Sequence, residues 1–371
     1  MRVVLVSANF RPHVGGIERF VEILAGGLAT RGHEVDVICC RYAGAQLEEE
    51  LDGFSVHRIP STYVLDRRVN VPFPVPEPAR MFRLLRRRIA RADVVHVQDA
   101  IYATSLPALA LARRQGVASV LTQHVAFVPQ RSRTLDSVQF VAHATLGRGA
   151  RLATIVATLN PAVAEWVRRR WGIRDPRVLP VGIPAVRART DHVGLRRSFG
   201  LPTDRFIALF VGRDVPKKGL AFFLDASDPA YELVAVTDRP GPAAQATILP
   251  FMEPELVQEL LDCVDAFVLP SEGEGFPISL QEALAKGLPV LTTWQEGYEH
   301  YLERDDVLVV QRDAAAIREA LLRLVHDELL REELGARSRA AAERNFGVDR
   351  FVTAYEDAYN EARALRQTSS R

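Results

Sequence analysis

"RVVLVSANFRPHVGGIERFVEILAGGLATRGHEVDVICC", residues 2–40, decides the fold. The apolar run at its start has the length of a buried strand, and the polar "RPHVGG" that follows breaks it. Ile17, Phe20, Ile23, Leu24 and Leu28 then recur at helical spacing, Gly32 is placed to cap the helix, and "HEVDVICC" resumes as a strand. Strand, loop, helix, strand is the βαβ unit of a parallel sheet. The alternation continues through "ADVVHVQ", "LPALALARRQG", "VASVLTQH", "ATIVATL" and "NPAVAEWVRRRWG", which reads as an open α/β domain.

Around "IRDPRVLPVGIPAVRART", residues 173–190, helical periodicity stops and Pro and Gly accumulate, marking a linker. A second α/β series follows. Its strands are "DRFIALFVG", "YELVAVTD" and "DAFVLPS", and its helical runs are "PELVQELLDC", "ISLQEALAKG" and "AAAIREALLRLVHDELLREELGARSRAAAERN". A chain of 371 residues also exceeds what one core usually serves. The amphipathic "VDRFVTAYEDAYNEARALR" lies beyond the last expected strand, "DVLVV", and is expected to pack back across the first domain. The expected division is 1–183, 184–345 and a terminal helix in 346–371.

Apolar residues make up 48% and charged residues 25%, which excludes disorder, collagen-like repeats and a disulfide scaffold. Apolar runs fall short of the roughly 20 residues that span a bilayer, and no signal-peptide pattern opens the chain, so a cytoplasmic location is expected. Cys39, Cys40 and Cys263 show neither a disulfide framework nor zinc-ligand spacing and read as small buried residues. The net charge of +1 hides an asymmetry. Up to residue 185 there are 25 Arg and no Lys against 15 Asp and Glu; the remainder has 22 basic against 31 acidic residues. A basic first half suits an anionic partner, a phosphate-bearing acceptor or membrane surface; two complementary solvated surfaces would explain it equally.

In open parallel sheets ligands collect at the carboxyl ends of strands. "NFRPHVGGIER" follows the first strand, and Gly15 and Gly16 there allow either close anion approach to a helix N-terminus or simply a tight turn. The dinucleotide fingerprint G-x-G-x-x-G is absent, which disfavours a Rossmann dehydrogenase. His124 in "VLTQHVAF" ends a buried strand, as a structural residue or a site residue. In "LFVGRDVPKKGL", Arg213 and Lys218 lie in a loop between strand and helix, where two cations suit a diphosphate; alone, each would read as a solvated charge. In "SEGEGFPISLQEALAKGLPV", residues 271–290, Glu274 sits in a glycine-bracketed turn and Glu282 on the helix after it. Carboxylates accept from sugar hydroxyls, while turn and helix-terminal amides suit phosphates. Nucleotide sugars offer hydroxyl-rich rings with phosphates between them.

At this point the chain resembles a family. "EGFPISLQE" is similar to the E-x7-E element of the retaining, GT-B-fold glycosyltransferases of family four. "VGRDVPKKGL" resembles their phosphate-binding segment, "LTQHVAF" their histidine-bearing strand end, and residues 9–38 their opening βαβ unit; "DVVHVQD" and "LPVGIP" are weaker landmarks. The resemblance implies two Rossmann-like domains facing a cleft, and sugar transfer from a UDP- or GDP-sugar to a hydroxyl acceptor, with no other cofactor. It implies that Glu282 accepts from ribose and that Glu274 contacts the transferred sugar. The amides of Gly275 and Phe276 would position sugar and phosphate, and Arg213 and Lys218, aided by the Gly16 amide, would hold the diphosphate. His124 would lie beside the reacting sugar, and backbone at Leu249 to Phe251 beside the base. No D-x-D triplet occurs, so the two cations are expected to replace a divalent metal.

The chain departs from the family's pattern in places. "VAVTDRPGPAAQATILPF" is shorter than usual, Val181-Gly182 replaces Asn-Gly, and a glycine common after "WQEGYEHYLERDD" is missing. On the acceptor side, His13, Arg131 and Arg133 are candidates for an anionic or lipid-linked acceptor. "VPFPVPEPARMFRLLRRRIARAD" gives a helix with Arg80, Arg83, Arg86, Arg87, Arg88 and Arg91 against apolar Met81, Phe82, Leu85 and Ile89, able to meet anionic headgroups or simply solvated. No nucleic-acid partner is expected. The rivals are a nucleotide-sugar epimerase or hydrolase on the same architecture, and a non-catalytic nucleotide-sugar-binding protein.

Overall fold

The structure, a computed structural model, describes residues 1–42, 44–63, 73–126, 140–184, 191–241 and 243–368. These form two compact units: unit 1 comprises residues up to Gly182 together with those from Val348 on, and unit 2 comprises Ile183–Gly347.

Unit 1 is built on a parallel sheet. Its strands are β1 (Arg2–Val6), β2 (Glu34–Cys40), β3 (Glu48–Leu51), β4 (Phe54–Ile59), β7 (Val94–Gln98), β8 (Ala118–Gln123), β9 (Ile155–Thr158) and β10 (Arg177–Val178); a small separate ribbon pairs β5 (Ser61–Thr62) with β6 (Val75–Pro76). The order is β10-β9-β8-β7-β1-β2-β4-β3. Val3, Leu5 and Val6 of β1 align with Val35, Val37 and Ile38 on one side and with Val94, His96 and Val97 on the other. Being flanked on both sides and covered on both faces, β1 is apolar throughout its buried part. One edge strand departs from the parallel arrangement. A hairpin through Asp52 and Gly53, both at positive φ, folds the glutamate-rich β3 back antiparallel onto β4 as a charged edge strand.

Among its described residues, unit 1 includes the helices α1 (Gly16–Thr30), α2 (Pro78–Ile89), α3 (Ser105–Gln115), α4 (Pro161–Trp171) and, from the far end of the chain, α11 (Val348–Thr368). α1 buries Phe20, Ile23, Leu24 and Leu28, the periodic residues of its sequence. α11 lies against α1 and β8, burying Phe351, Val352, Tyr355 and Tyr359. Gly27 allows that approach, because a Cβ there would overlap Val352. His96 ties the interior together: its ring bonds Tyr359 Oη at 2.8 Å and Thr122 Oγ1 at 2.7 Å, and burial pushes its pKa down to about 3. At the rim, Arg31 and His33 both reach Glu356, at 2.5 and 2.6 Å.

Unit 2 has β11 (Phe206–Val211), β12 (Tyr231–Thr237), β13 (Thr247–Pro250), β14 (Ala266–Leu269), β15 (Val290–Thr292) and β16 (Leu308–Val309), in the order β13-β12-β11-β14-β15-β16. Every pair is parallel. The chain runs outward from β11 to β13, then returns beside β11 as β14, so the order reverses between these two strands. Its helices are α5 (His192–Ser198), α6 (Leu220–Asp225), α7 (Pro254–Leu261), α8 (Ile278–Ala285), α9 (Ala314–His326) and α10 (Glu328–Asn345). The helical run 314–345 is interrupted at Asp327, whose side chain accepts the Leu330 N–H and so starts α10 as a new helix. No helix among the described residues is long and apolar enough to cross a membrane.

Candidate active site

The reversal between β11 and β14 puts two loops side by side at the carboxyl ends of neighbouring strands. One is the segment after β11 with Arg213, Lys217 and Lys218; the other is the turn after β14 with Glu272 and Glu274. They are joined directly: the Glu272 N–H donates to Lys217 O at 2.8 Å. Gly219, at φ 75°, stands so close to Pro270 that a Cβ would overlap its carbonyl oxygen. Glu274 Oε1 then receives Lys218 Nζ at 3.1 Å and Lys217 Nζ at 3.6 Å. The Glu274 side chain is only 8% exposed. Burial alone would raise its pKa, but the two ammonium groups outweigh that and hold the carboxyl below its ordinary range. The Lys218 ammonium is pushed down by burial, against the pull of Glu274 and with the push of Lys217 and Arg213.

Arg213 is held on the other side of the same loop. Its Nε lies 3.6 Å from Asp238 Oδ2, at the end of β12, and Asp238 Oδ1 accepts the Asp214 N–H at 2.6 Å. The turn after β14 is fixed by Gln295. The Gln295 Nε2 group donates to Ser271 O at 3.0 Å and to Tyr298 Oη at 3.1 Å, while its Oε1 accepts the Glu274 N–H at 2.9 Å. Phe276 stacks on Phe346 and meets Tyr298 edge-on, anchoring the point where turn becomes helix. Glu282 is buried on α8, and Ser279 Oγ donates to Val211 O at 3.3 Å, linking α8 to the end of β11. Leu249 lies on β13, and the Phe251 N–H just beyond it donates to Thr237 O at 3.1 Å. Arg213, Lys218, Leu249, Phe251, Glu274, Gly275, Phe276 and Glu282 therefore all belong to unit 2.

His124, Gly16 and His13 belong to unit 1. His124 follows β8 and is buried; its Nε2–H donates to Gln98 Oε1 at 2.8 Å, which fixes the neutral tautomer, and Phe20 meets the ring edge-on at 4.7 Å. Burial pushes its pKa down to about 3. Its backbone N–H donates to Asp99 Oδ1 at 2.9 Å. Asp99 has φ 52°, a left-handed conformation that is uncommon outside glycine and is often retained at functional sites. Gly16 opens α1, where Glu18 folds its carboxylate over Gly15 and pairs with His13 Nδ1 at 2.8 Å. Arg131 and Arg133 lie outside the described residues. Sequence reasoning missed Lys217, Asp238, Gln295, Gln98 and Asp99. Only the Lys-Lys doublet and the "HVQD" landmark offered any local signal for them.

Two loops at a topological switch point, carrying cations on one side and carboxylates on the other, form the candidate ligand site of an α/β unit. The profile of Glycosyltransferase Family 4 matches residues 14–187, and that of Glycosyl transferases group 1 matches residues 231–341. A GDP-mannose-dependent alpha-mannosyltransferase of Mycobacterium tuberculosis is 31% identical over 313 residues, 78% of each chain. A D-inositol 3-phosphate glycosyltransferase of Xylanimonas cellulosilytica is 26% identical and covers 98% of each. Among solved structures, sucrose-phosphate synthase from Thermosynechococcus elongatus superposes with a TM-score of 0.79 at 18% identity, over 98% of this chain and 99% of that one. The Anabaena protein HepE in complex with UDP-glucose gives 0.74 at 15% identity, over 97% and 100%. The chain belongs to glycosyltransferase family 4, with the GT-B fold, and is a glycosyltransferase.

Proposed function

We propose that this enzyme transfers a sugar from a nucleotide diphosphate sugar to a hydroxyl acceptor, with retention of anomeric configuration and without a divalent metal. The observation that carries the reading is the cationic loop at the switch point of unit 2, with Lys217 and Lys218 around Glu274 and Arg213 beside Asp238 on the loop's other side. A diphosphate needs cations where its negative charge grows as the anomeric bond breaks, and this cluster supplies them. Glu282 accepts from the ribose, Glu274 from the transferred sugar, and the Gly275 and Phe276 amides position sugar and phosphate. Backbone at Leu249 to Phe251 borders the base. The family resemblance supports assigning His124, a neutral imidazole, to the transferred sugar and the Gly16 amide to the diphosphate. As the acceptor oxygen bonds the anomeric carbon, the bond to the diphosphate breaks and a phosphate oxygen takes the acceptor proton.

The names of relatives favour a GDP- or UDP-sugar: one mannosyltransferase relative is GDP-mannose-dependent, and HepE was solved with UDP-glucose. The acceptor is anionic or lipid-linked, met by His13, Arg131 and Arg133, and the arginine face of α2 rests on anionic membrane. On that helix Arg80, Arg83, Arg86 and Arg87 are exposed while Met81, Leu85 and Ile89 are buried. The deciding experiment is a thermal-shift screen of UDP- and GDP-sugars on the wild type and Glu282→Ala. One donor class should stabilise the wild type and lose most of that effect in the variant; no shift with any nucleotide sugar removes the donor assignment. Turnover that survives EDTA and yields product with the donor's anomeric configuration supports the metal-free, retaining reaction.

A further inference from the structure

We propose that Arg312 is a positioning residue of the donor site, one guanidinium that sets the gap between the lysine-bearing loop and the carboxylate-bearing turn. The inference rests on the donor reading above. Arg312 sits between β16 and α9, and its backbone is pinned on both sides. The Val310 N–H donates to Thr292 O at 3.0 Å, and Asp313 caps α9 by accepting the Ala316 N–H at 2.9 Å. From there the side chain reaches both loops at once. Its Nε donates to Pro270 O at 3.0 Å, its Nη2 donates to Pro216 O, and its Nη1 pairs with Glu272 Oε1 at 3.0 Å. The guanidinium also lies over Phe222, with Cζ 5.0 Å from the ring centroid.

Pro216 directly precedes Lys217 and Lys218, and Pro270 opens the turn that carries Glu274. The guanidinium therefore bridges the backbones that present the two sides of the site. Its donors lie in one rigid plane, so two carbonyls and a carboxylate are met together; a lysine ammonium presents a single point of charge and cannot hold the same spacing. Small misplacements of a charge-binding loop cost affinity steeply. Arg312 acts through the loops, because its donors are engaged by Pro216, Pro270 and Glu272.

The test is calorimetric binding of UDP, GDP, UMP and GMP to the wild type, Arg312→Ala, Arg312→Lys and Glu272→Gln. Loss of the bridge should weaken the diphosphate that the wild type binds by about tenfold. It should weaken the matching monophosphate much less, so that the preference for diphosphate over monophosphate collapses. Arg312→Lys should recover only part of the loss, and Glu272→Gln, which keeps both carbonyl bonds, should stay within about threefold of wild type. If Arg312→Ala does not fold, the lysine variant decides. Unchanged diphosphate affinity in it, or equal weakening of both nucleotides in either arginine variant, overturns the proposal. A wild type that binds none of the four nucleotides would overturn the donor reading itself.

Discussion

Lys218 Nζ lies 3.1 Å from Glu274 Oε1, and this pair closes the loop after β11 onto the turn after β14. Removing the ammonium both opens that closure and takes away a cation meant for the leaving diphosphate. Lys218→Ala and Arg213→Ala are therefore expected to lower kcat by about 10²-fold or more, read as nucleoside diphosphate release. Wild-type turnover in either variant would take these cations out of the mechanism.

The same pair predicts an acid-side stability effect. The Glu274 carboxyl is held below its ordinary range in the folded chain, so its contribution is present above the unfolded pKa and is lost as pH falls through the folded one. Glu274→Gln should lower Tm at neutral pH, because two ammonium groups then face an uncharged amide. The difference from wild type should shrink as pH falls below the ordinary carboxylate range, where the wild-type carboxyl protonates too. A constant difference across that range would contradict the assignment.

On the alkaline side the sign reverses in its consequence for binding. The Lys218 ammonium is pushed below the ordinary lysine value by burial, so it loses its proton earlier than an exposed lysine would. Diphosphate affinity, measured by calorimetry, is expected to fall with rising pH before the ordinary lysine range is reached, and that fall should be absent in Lys218→Arg.

His124 is neutral because burial pushes its pKa down to about 3. No wave in the kcat profile near the ordinary histidine range should therefore trace to it. Replacing its partner changes this: Gln98→Glu puts a carboxylate where Nε2–H now meets an amide oxygen, which should raise the imidazole pKa. Imidazole NMR chemical shifts followed against pH check both statements.

Gly219 combines φ 75° with contact against the Pro270 carbonyl. Gly219→Ala should cost about 1–3 kcal/mol by denaturant unfolding and reduce donor affinity as the lysine loop moves away from the turn. A variant as stable as wild type with unchanged affinity would show that the two loops need not be so close.

Charge reversal on the outer face of α2, Arg83→Glu with Arg87→Glu, should abolish salt-sensitive flotation with phosphatidylglycerol vesicles while leaving turnover of a soluble donor unchanged. Flotation that persists in the double variant would locate membrane contact elsewhere.

Legibility in the sequence followed distance along the chain. Glu274 and Glu282 could be read because a strand end, a glycine-bracketed turn and a helix are consecutive there, and short-range periodicity encodes each of them. The α1 face and the His124 strand end were legible for the same reason. Gln98 and Asp99 were passed over because their partner, the His124 segment, follows a different strand. The β3 hairpin escaped because three consecutive glutamates, Glu48 to Glu50, carry no apolar alternation.

The order of secondary elements, their apolar faces and the residue types at each strand end were all determined locally, by spacing and turn chemistry, before any long-range contact. Only the tertiary structure decided that β14 returns beside β11, that Lys217 and Lys218 therefore meet Glu274, that Arg312 reaches Pro216 and Pro270, and that α11 closes unit 1. Which strands become neighbours depends on burying all of a unit's apolar faces at once, and no local window of sequence contains that constraint.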